Sequence, residues 1–445
     1  MASENIAAIS TGLVASGVAV IRISGDSPLV VAEKMFKPFA NIPVGKFEPN
    51  KMYVGEIVCN GFNDTGLCVY FKKPKSFTGE DVVEFHCHGG TAIAKGVLSR
   101  SLELGARPAV NGEFTRRAFM NGKLSLSSAE GLIDMINSET ESGVRAGYYL
   151  YREKLTAKIS AVQDKLLDVL SEIDADMDFP EEDLTFSSTA ATKKNLIACE
   201  EELNNLLKTF RTGKALKSGV KVGIAGKPNT GKSSLLNALL NYDKAIVSDI
   251  AGTTRDVVEG EIEINGVKFY FSDTAGIRES DDAIEKIGVG ISEKILCSSD
   301  LVLLVLDASE IDVNDEEIYS RVKDKNCLVV LNKTDKTSAR DERADVEVSA
   351  LNKTNIETLK QAIYNKTVGS GIDLNGDYLC EERHYDALSR ALEKIRSALS
   401  AADTVTLDLL SVDVKGAWDA LGEISGKTAS EDIINNIFSK FCVGK

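Results

Sequence analysis

Residues 220–240 read VKVGIAGKPNTGKSSLLNALL: a β-branched run, a glycine-rich turn and a helical apolar pattern in direct succession. Gly226–Ser233 fit G-x-x-x-x-G-K-S, and a strand before with a helix after is the context that separates a phosphate-binding loop from a chance glycine turn. Gly226 and Gly231 let the backbone aim its N–H groups at phosphates, Lys232 brings charge to the β- and γ-phosphates, and the Ser233 hydroxyl suits magnesium. Asn229, Thr230 and Ser234 belong to the same cradle.

Further elements follow in the order such a domain requires. AGTTRD offers Thr254 as a second magnesium hydroxyl, and FYFSDTAG ends a strand on Asp273, Thr274, Ala275 and Gly276, beside magnesium and the γ-phosphate. CLVVLNKTD supplies Asn332, Lys333 and Asp335, and a carboxylate at Asp335 accepts a pair of hydrogen bonds that guanine makes and adenine does not. VEVSAL then places Ser349 and Ala350 near the base oxygen. The combination predicts a GTP-hydrolysing domain. In EIEINGVKFYF, Asn265-Gly266 is a two-residue hairpin signal, so the sheet is expected to be mixed, with an antiparallel edge strand. Ile277 stands where a Ras-like enzyme has a water-positioning glutamine, so turnover needs another group. The amide of Asn229 could bind a monovalent cation beside the phosphates, doing an arginine's electrostatic work; Asn is also a common turn residue.

Outward from this core, the chain of 445 residues changes pattern twice. Residues 1–121, with short β-branched runs such as GVAVIRISG, predict an α+β domain. Helical spacing begins near 125, with Ile159, Val162, Leu166, Val169 and Ile173 on one stripe and Leu196, Cys199, Leu203, Leu206 and Phe210 on another. DFPEEDLTFSS reads as the loop between them. After the linker TVGSGIDLNGD the spacing resumes at Leu388, Leu392, Ile395 and Leu399. The expected architecture is a multidomain α+β and α/β chain: an amino-terminal domain 1–121, a helical domain in two parts, 122–215 and 375–445, and a Ras-like P-loop domain inserted at 216–374.

Composition sets limits on function. With 43% hydrophobic and 27% charged residues the chain is globular in type, and no apolar run is long enough to span a bilayer, so a cytoplasmic protein is expected. Eight cysteines without a C-x-x-C pair fit free thiols. The net charge of −15 argues against a surface that coats nucleic acid throughout; residues 1–121 hold 13 Lys+Arg against 11 Asp+Glu, which is +2 and leaves −17 for the remainder. HCHGG at His86–Gly90 is poor zinc geometry, with no fourth ligand nearby, and Arg116-Arg117 suit solvent as well as RNA phosphates.

The stretches GVAVIRISG, SFTGEDVVEFHCHGG, GEFTRRAFMNGKLSLSSAEGLIDMI, GKPNTGKSSLLNAL, IVSDIAGTTRD, DTAGIRESDDAIEKIG and the terminal FCVGK together resemble the MnmE (TrmE) family of tRNA-modification GTPases over essentially the full length. The resemblance implies modification of the wobble uridine of certain tRNAs at carbon 5, in a complex with MnmG, a flavoprotein that brings FAD and NADH. It implies a homodimer made by the amino-terminal domain, which would bind a 5-formyl- or methylene-tetrahydrofolate through Arg22, Glu84, Lys123 and Lys445. It places a potassium ion at Asn229, Ser248, Ile250 and Thr253, counts Asp249, Ala251 and Gly252 of the same loop with the GTP site, and puts a catalytic acid acting through water at Glu285.

Cys442, in the ending FCVGK, has the spacing of a prenylation box, but a terminal Lys is atypical of that signal. A buried structural thiol is the alternative; the favoured reading is a tail threaded toward the folate pocket, with Cys442 catalytic and Lys445 nearby. Two rival readings account for less of the chain. An Era- or Der-type ribosome-assembly switch explains only the GTP-binding part, and a folate-dependent aminomethyltransferase only residues 1–121.

Overall fold

The computed structural model describes residues 3–178, 187–240, 260–273, 298–337, 340–370, 372–373, 376–401 and 407–445. These form two compact units. The first comprises Met1–Ile133, Leu150–Asn195 and Ser397–Lys445, and the second Asp134–Tyr149 and Leu196–Arg396.

In the first unit, β1 (Ile6–Ile9), β2 (Val18–Gly25), β3 (Phe36–Pro38), β4 (Met52–Val58), β5 (Asn63–Phe71), β6 (Asp81–His88) and β7 (Arg107–Pro108) make one sheet in the order β3-β4-β5-β6-β2-β1-β7. All neighbours are antiparallel except β1 and β7. Strand alternation gives the sheet two different faces. Ile21, Ile23, Val83, Phe85 and Cys87 point to one, where Val31, Met35, Ala94 and Val97 of the helices Pro28–Met35 and Thr91–Glu103 close a core. Arg22, Ser24, Glu84 and His86 therefore occupy the other.

The helices Lys154–Asp178 and Leu407–Ser425 pack together in this unit. The expected stripe Ile159, Val162, Leu166, Val169 and Ile173 is wholly buried, as are Val414, Leu421 and Ile424, and the Gln163 amide donates to the Trp418 carbonyl at 2.9 Å. Segments from either side of the GTP-binding region thus pack on one another in this unit. The second stripe is cut by the chain: Leu196, Cys199, Leu203 and Leu206 are buried on Ser187–Lys208, whereas Phe210 opens the next helix, Phe210–Ser218. Thr209 lies at that break, and its hydroxyl donates to the Leu206 carbonyl at 2.6 Å.

In the second unit, β8 (Val220–Ala225), β9 (Gly260–Ile264), β10 (Val267–Asp273), β11 (Leu301–Asp307), β12 (Cys327–Asn332) and β13 (Val346–Glu347) form a sheet in the order β13-β12-β11-β8-β10-β9. Every pairing is parallel except β9 with β10, the hairpin turned by Asn265 and Gly266 at φ 50° and 79°. Left-handed values at both positions fit the Asn-Gly turn that the sequence announced. β11 is buried at every position, as a central parallel strand covered on both faces requires. Among the described residues, no helix is long and apolar enough to cross a membrane.

Candidate functional site

In the second unit the site forms where strand ends meet helix starts. β8 runs into the loop Gly226–Gly231, and the helix Lys232–Leu240 begins at the phosphate-binding lysine. Gly231 has φ 91°, and a Cβ there would lie 2.4 Å from the Asn332 amide nitrogen, so glycine is needed for both backbone and space. The Asn332 amide donates to the Thr230 carbonyl at 2.9 Å and its oxygen accepts from the Ala350 N–H at 3.0 Å. Lys333, at φ 65°, donates from Nζ to the Asn229 carbonyl at 2.6 Å. The Ser349 hydroxyl donates to Asp335 Oδ1 at 2.5 Å, which orients the carboxylate proposed to read the base.

The structure thus gathers Asn229, Thr230, Gly231 and Lys232 with Asn332, Lys333, Asp335, Ser349 and Ala350, through separate hydrogen bonds made by Asn332, Lys333 and Ser349. Lys232 is buried, its ammonium donating to the carbonyls of Gly226 at 3.0 Å and Lys227 at 2.8 Å, across the mouth of the loop. Ser233 and Ser234 are exposed in the first turn of the following helix. Asp273 ends β10 as expected, and its side chain is outside the described residues. Ser248, Asp249, Ile250, Ala251, Gly252, Thr253, Thr254, Thr274, Ala275, Gly276 and Glu285 also lie outside them.

Two members of this site carry no sequence signal of their own. Asp307, the last residue of β11, accepts from Lys333 Nζ at 2.6 Å. Burial opposes its charge, and the Lys333 ammonium with Ser309 overcomes that, holding the carboxyl below the usual range. Lys227, an unspecified position of the loop motif, reaches Asp315 Oδ2 at 2.9 Å and Asp312 Oδ2 at 3.1 Å in the capped start of Val313–Val322.

The first unit holds a second site on the polar face of its sheet. A row runs across four strands from Ala8 through Arg22 and Glu84 to Val69. Arg22 Nε donates to Glu84 Oε1 at 2.7 Å, and its guanidinium stands 5.1 Å from the Phe77 ring centroid and 5.7 Å from that of Phe114. His86 Nε2 lies 3.4 Å from the other oxygen of Glu84. Burial works against the Glu84 charge, and His86 and Arg22 outweigh it, so the carboxyl sits below its usual range. Phe77 also lines a cavity of about 380 Å³ with Ser76, Lys123, Leu124 and Ser128. Lys123 donates from Nζ to the Pro74 carbonyl at 2.9 Å.

The carboxyl-terminal tail belongs to this unit. The helix Glu431–Ser439 ends before Phe441, which packs from beyond it against Leu126, Ala129, Ile437 and Phe438. Cys442 is exposed, which removes the core reading of its thiol. Gly444, at φ 100°, lies so close to β1 that a Cβ would come within 2.2 Å of the Ile9 carbonyl oxygen. Ile9 follows Ala8, the cross-strand partner of Arg22.

A family model for the MnmE helical domain matches residues 126–442, and one for the N-terminus of the GTP-binding protein TrmE matches residues 5–123. The tRNA modification GTPase MnmE of Clostridioides difficile strain 630 is 39% identical over 455 positions, which cover 99% of this chain and 99% of its own. The chain belongs to the MnmE family. Its likeness to the relative of the same description from Thermoanaerobacter pseudethanolicus is equally complete, at 39% identity over 463 positions and 100% of both chains. A structure of Aquifex aeolicus Era bound to GDP and AlF4− is 31% identical over 39% of this chain and 66% of its own, with a TM-score of 0.26, too low to carry an argument. Among the described residues no group of three or more His, Cys, Asp and Glu side chains could hold a metal ion.

Proposed function

We propose that this chain is a GTP-hydrolysing tRNA-modification enzyme that acts on carbon 5 of the wobble uridine with MnmG, using a one-carbon unit carried by a tetrahydrofolate derivative. One observation carries the reading: a guanine-nucleotide constellation and the Arg22–Glu84 site occur in one chain whose full-length relatives are named for tRNA modification. An Era- or Der-type switch leaves the Arg22–Glu84 site and the Cys442 tail without a role.

The residues of each site fit the groups assigned to it. Glu84 presents a carboxylate to paired N–H donors of a pterin, the Phe77 and Phe114 rings give an apolar surface beside it, and Lys123 suits the anionic tail. The bound folate supplies a carbon at the formyl or methylene level. Lys445 and the Cys442 thiol are assigned to the same pocket, which the contact of Gly444 with Ile9 favours. The polar sheet face also exposes Met52 and Val54, in line with Arg22 and His86 across the strands; a second copy covering them would make the homodimer.

In the GTP site, Lys232 balances phosphate charge, Ser233 and Thr254 would hold magnesium with support from Asp273, and Asp335 selects guanine. Asn229 is exposed at the loop, with its backbone carbonyl committed to Lys333, which leaves its amide as the part to meet potassium. A potassium ion held there would supply positive charge toward the phosphates, and Glu285 is assigned to orient the attacking water. The test is nucleoside analysis of tRNA from a deletion strain, before and after return of this gene. Loss and recovery of the 5-substituted wobble uridine is expected; unchanged nucleosides overturn the reading.

A further inference from the structure

We propose that His86 is a positioning residue of the Arg22–Glu84 site, fixing the second oxygen of Glu84 so that the carboxylate presents its remaining acceptor sites to a ligand with two parallel donors. The proposal rests on the folate reading above and names a residue that reading does not use. His86 and Glu84 are two apart on β6 and so share a face. Arg22 approaches Oε1 at 2.7 Å while His86 Nε2 approaches Oε2 at 3.4 Å, an ion-pair separation when the ring is protonated. All three side chains are largely buried, with exposures of 20% for Arg22, 14% for Glu84 and 21% for His86.

Across the strands His86 faces Val20 on β2 and Leu67 on β5, both apolar. Along β6 the other titratable group on this face is His88, whose Nδ1 is held at 2.6 Å by Asp64. Glu84 is thus the carboxylate that His86 addresses, with Arg22 the neighbouring cation. A carboxylate has about four acceptor sites. Arg22 takes one on Oε1 and His86 one on Oε2, which leaves one on each oxygen for a ligand with two parallel donors. Without a donor at position 86 the second oxygen loses its fixed partner, the carboxylate is freer to turn, and the paired acceptor sites are less well preorganised for the ligand.

The experiment measures binding of 5-formyltetrahydrofolate to the full chain by calorimetry for the wild type, His86→Leu and His86→Gln. His86→Leu has no donor for Oε2 and is expected to bind roughly fivefold more weakly, the worth of about one hydrogen bond. His86→Gln keeps a donor, so it should recover most of that loss. Unchanged affinity in His86→Leu, or no recovery in His86→Gln, overturns the assignment. A second measurement is independent of ligand: His86→Leu and Glu84→Gln should be non-additive in urea unfolding, as groups in contact are. Additive effects also overturn the assignment. Absence of folate binding by the wild type, with the non-additivity present, overturns the folate reading and leaves the His86–Glu84 coupling established.

Discussion

The Asn332 side chain ties the phosphate-binding loop to the base-reading segment, donating to the Thr230 carbonyl at 2.9 Å and accepting from the Ala350 N–H at 3.0 Å. Asn332 and Ala350 are buried and Thr230 is 1% exposed, so neither hydrogen bond has water as an easy substitute. Asn332→Ala is expected to weaken GTP and GDP alike, by roughly tenfold to a hundredfold, the worth of two such bonds with their orphaned partners. Calorimetric titration of both nucleotides checks this, and a loss confined to GTP would count against it. Gly231→Ala should be worse, because its Cβ would meet the same amide at 2.4 Å.

Potassium dependence follows from Asn229 and from the absence of a glutamine at position 277, where the sequence has Ile277. A cation that replaces an arginine finger is selected by size, so turnover in potassium should greatly exceed turnover in sodium at equal ionic strength. Phosphate release assays in the two salts decide it; equal rates remove potassium from the mechanism.

Glu285 and Asp335 should separate kinetically. Glu285→Ala is expected to keep GTP affinity and lose roughly 10²-fold or more in kcat, as removal of a water-positioning group does. Asp335→Asn should instead relax the preference for guanine over other bases, since it replaces an acceptor pair with one acceptor and one donor. Full turnover by Glu285→Ala would reassign the water-activating group.

The first unit should show an acid-sensitive component of stability at Glu113. Arg107 binds this carboxylate through two contacts of 2.6 and 2.8 Å, Arg117 adds one at 3.1 Å and the Val110 N–H one at 3.0 Å. Burial opposes the charge, but these donors prevail and bring the carboxyl down to about 2. A lowered carboxyl pKa stabilises the folded state above the ordinary Glu range, and the benefit fades as pH falls toward about 2. Glu113→Gln is expected to cost about 2–3 kcal/mol at pH 7 and progressively less below pH ~4. The chain's single tryptophan, Trp418, lies in the same unit and reports urea unfolding by fluorescence. A pH-independent difference would assign Glu113 a packing role only.

What could be read from the sequence was whatever local chemistry dictates. Glycines at forced backbone angles, the Asn265-Gly266 turn and helical stripes such as Ile159–Ile173 are set by residues close together in the chain, so the loop, the hairpin and the helices were legible. Asp307 and His86 were not. Lys333 reaches Asp307 through the parallel register of β11 with β12, and the carboxylate beside His86 on β6 gains its Arg22 partner only by the pairing of β6 with β2. Arg22 and Glu84 themselves are 62 residues apart, and without the family resemblance each would read as a surface charge.

The final prediction concerns the tail. Phe441 is buried and Gly444 touches the Ile9 carbonyl, so the residues flanking Cys442 are fixed while Cys442 itself is exposed. An exposed thiol held at a defined place is accessible to a ligand, and its removal leaves no cavity. Cys442→Ser is expected to fold and hydrolyse GTP at the wild-type rate but to leave the wobble uridine unmodified in a complemented deletion strain. Gly444→Ala tests placement instead of chemistry. Its Cβ would lie 2.2 Å from the Ile9 oxygen at a φ of 100°, which displaces the tail while keeping the thiol. That variant should also lose modification with GTP hydrolysis intact. If both variants modify tRNA fully, Cys442 has no part in the reaction; if only Cys442→Ser fails, the thiol acts without depending on the docked position of the tail.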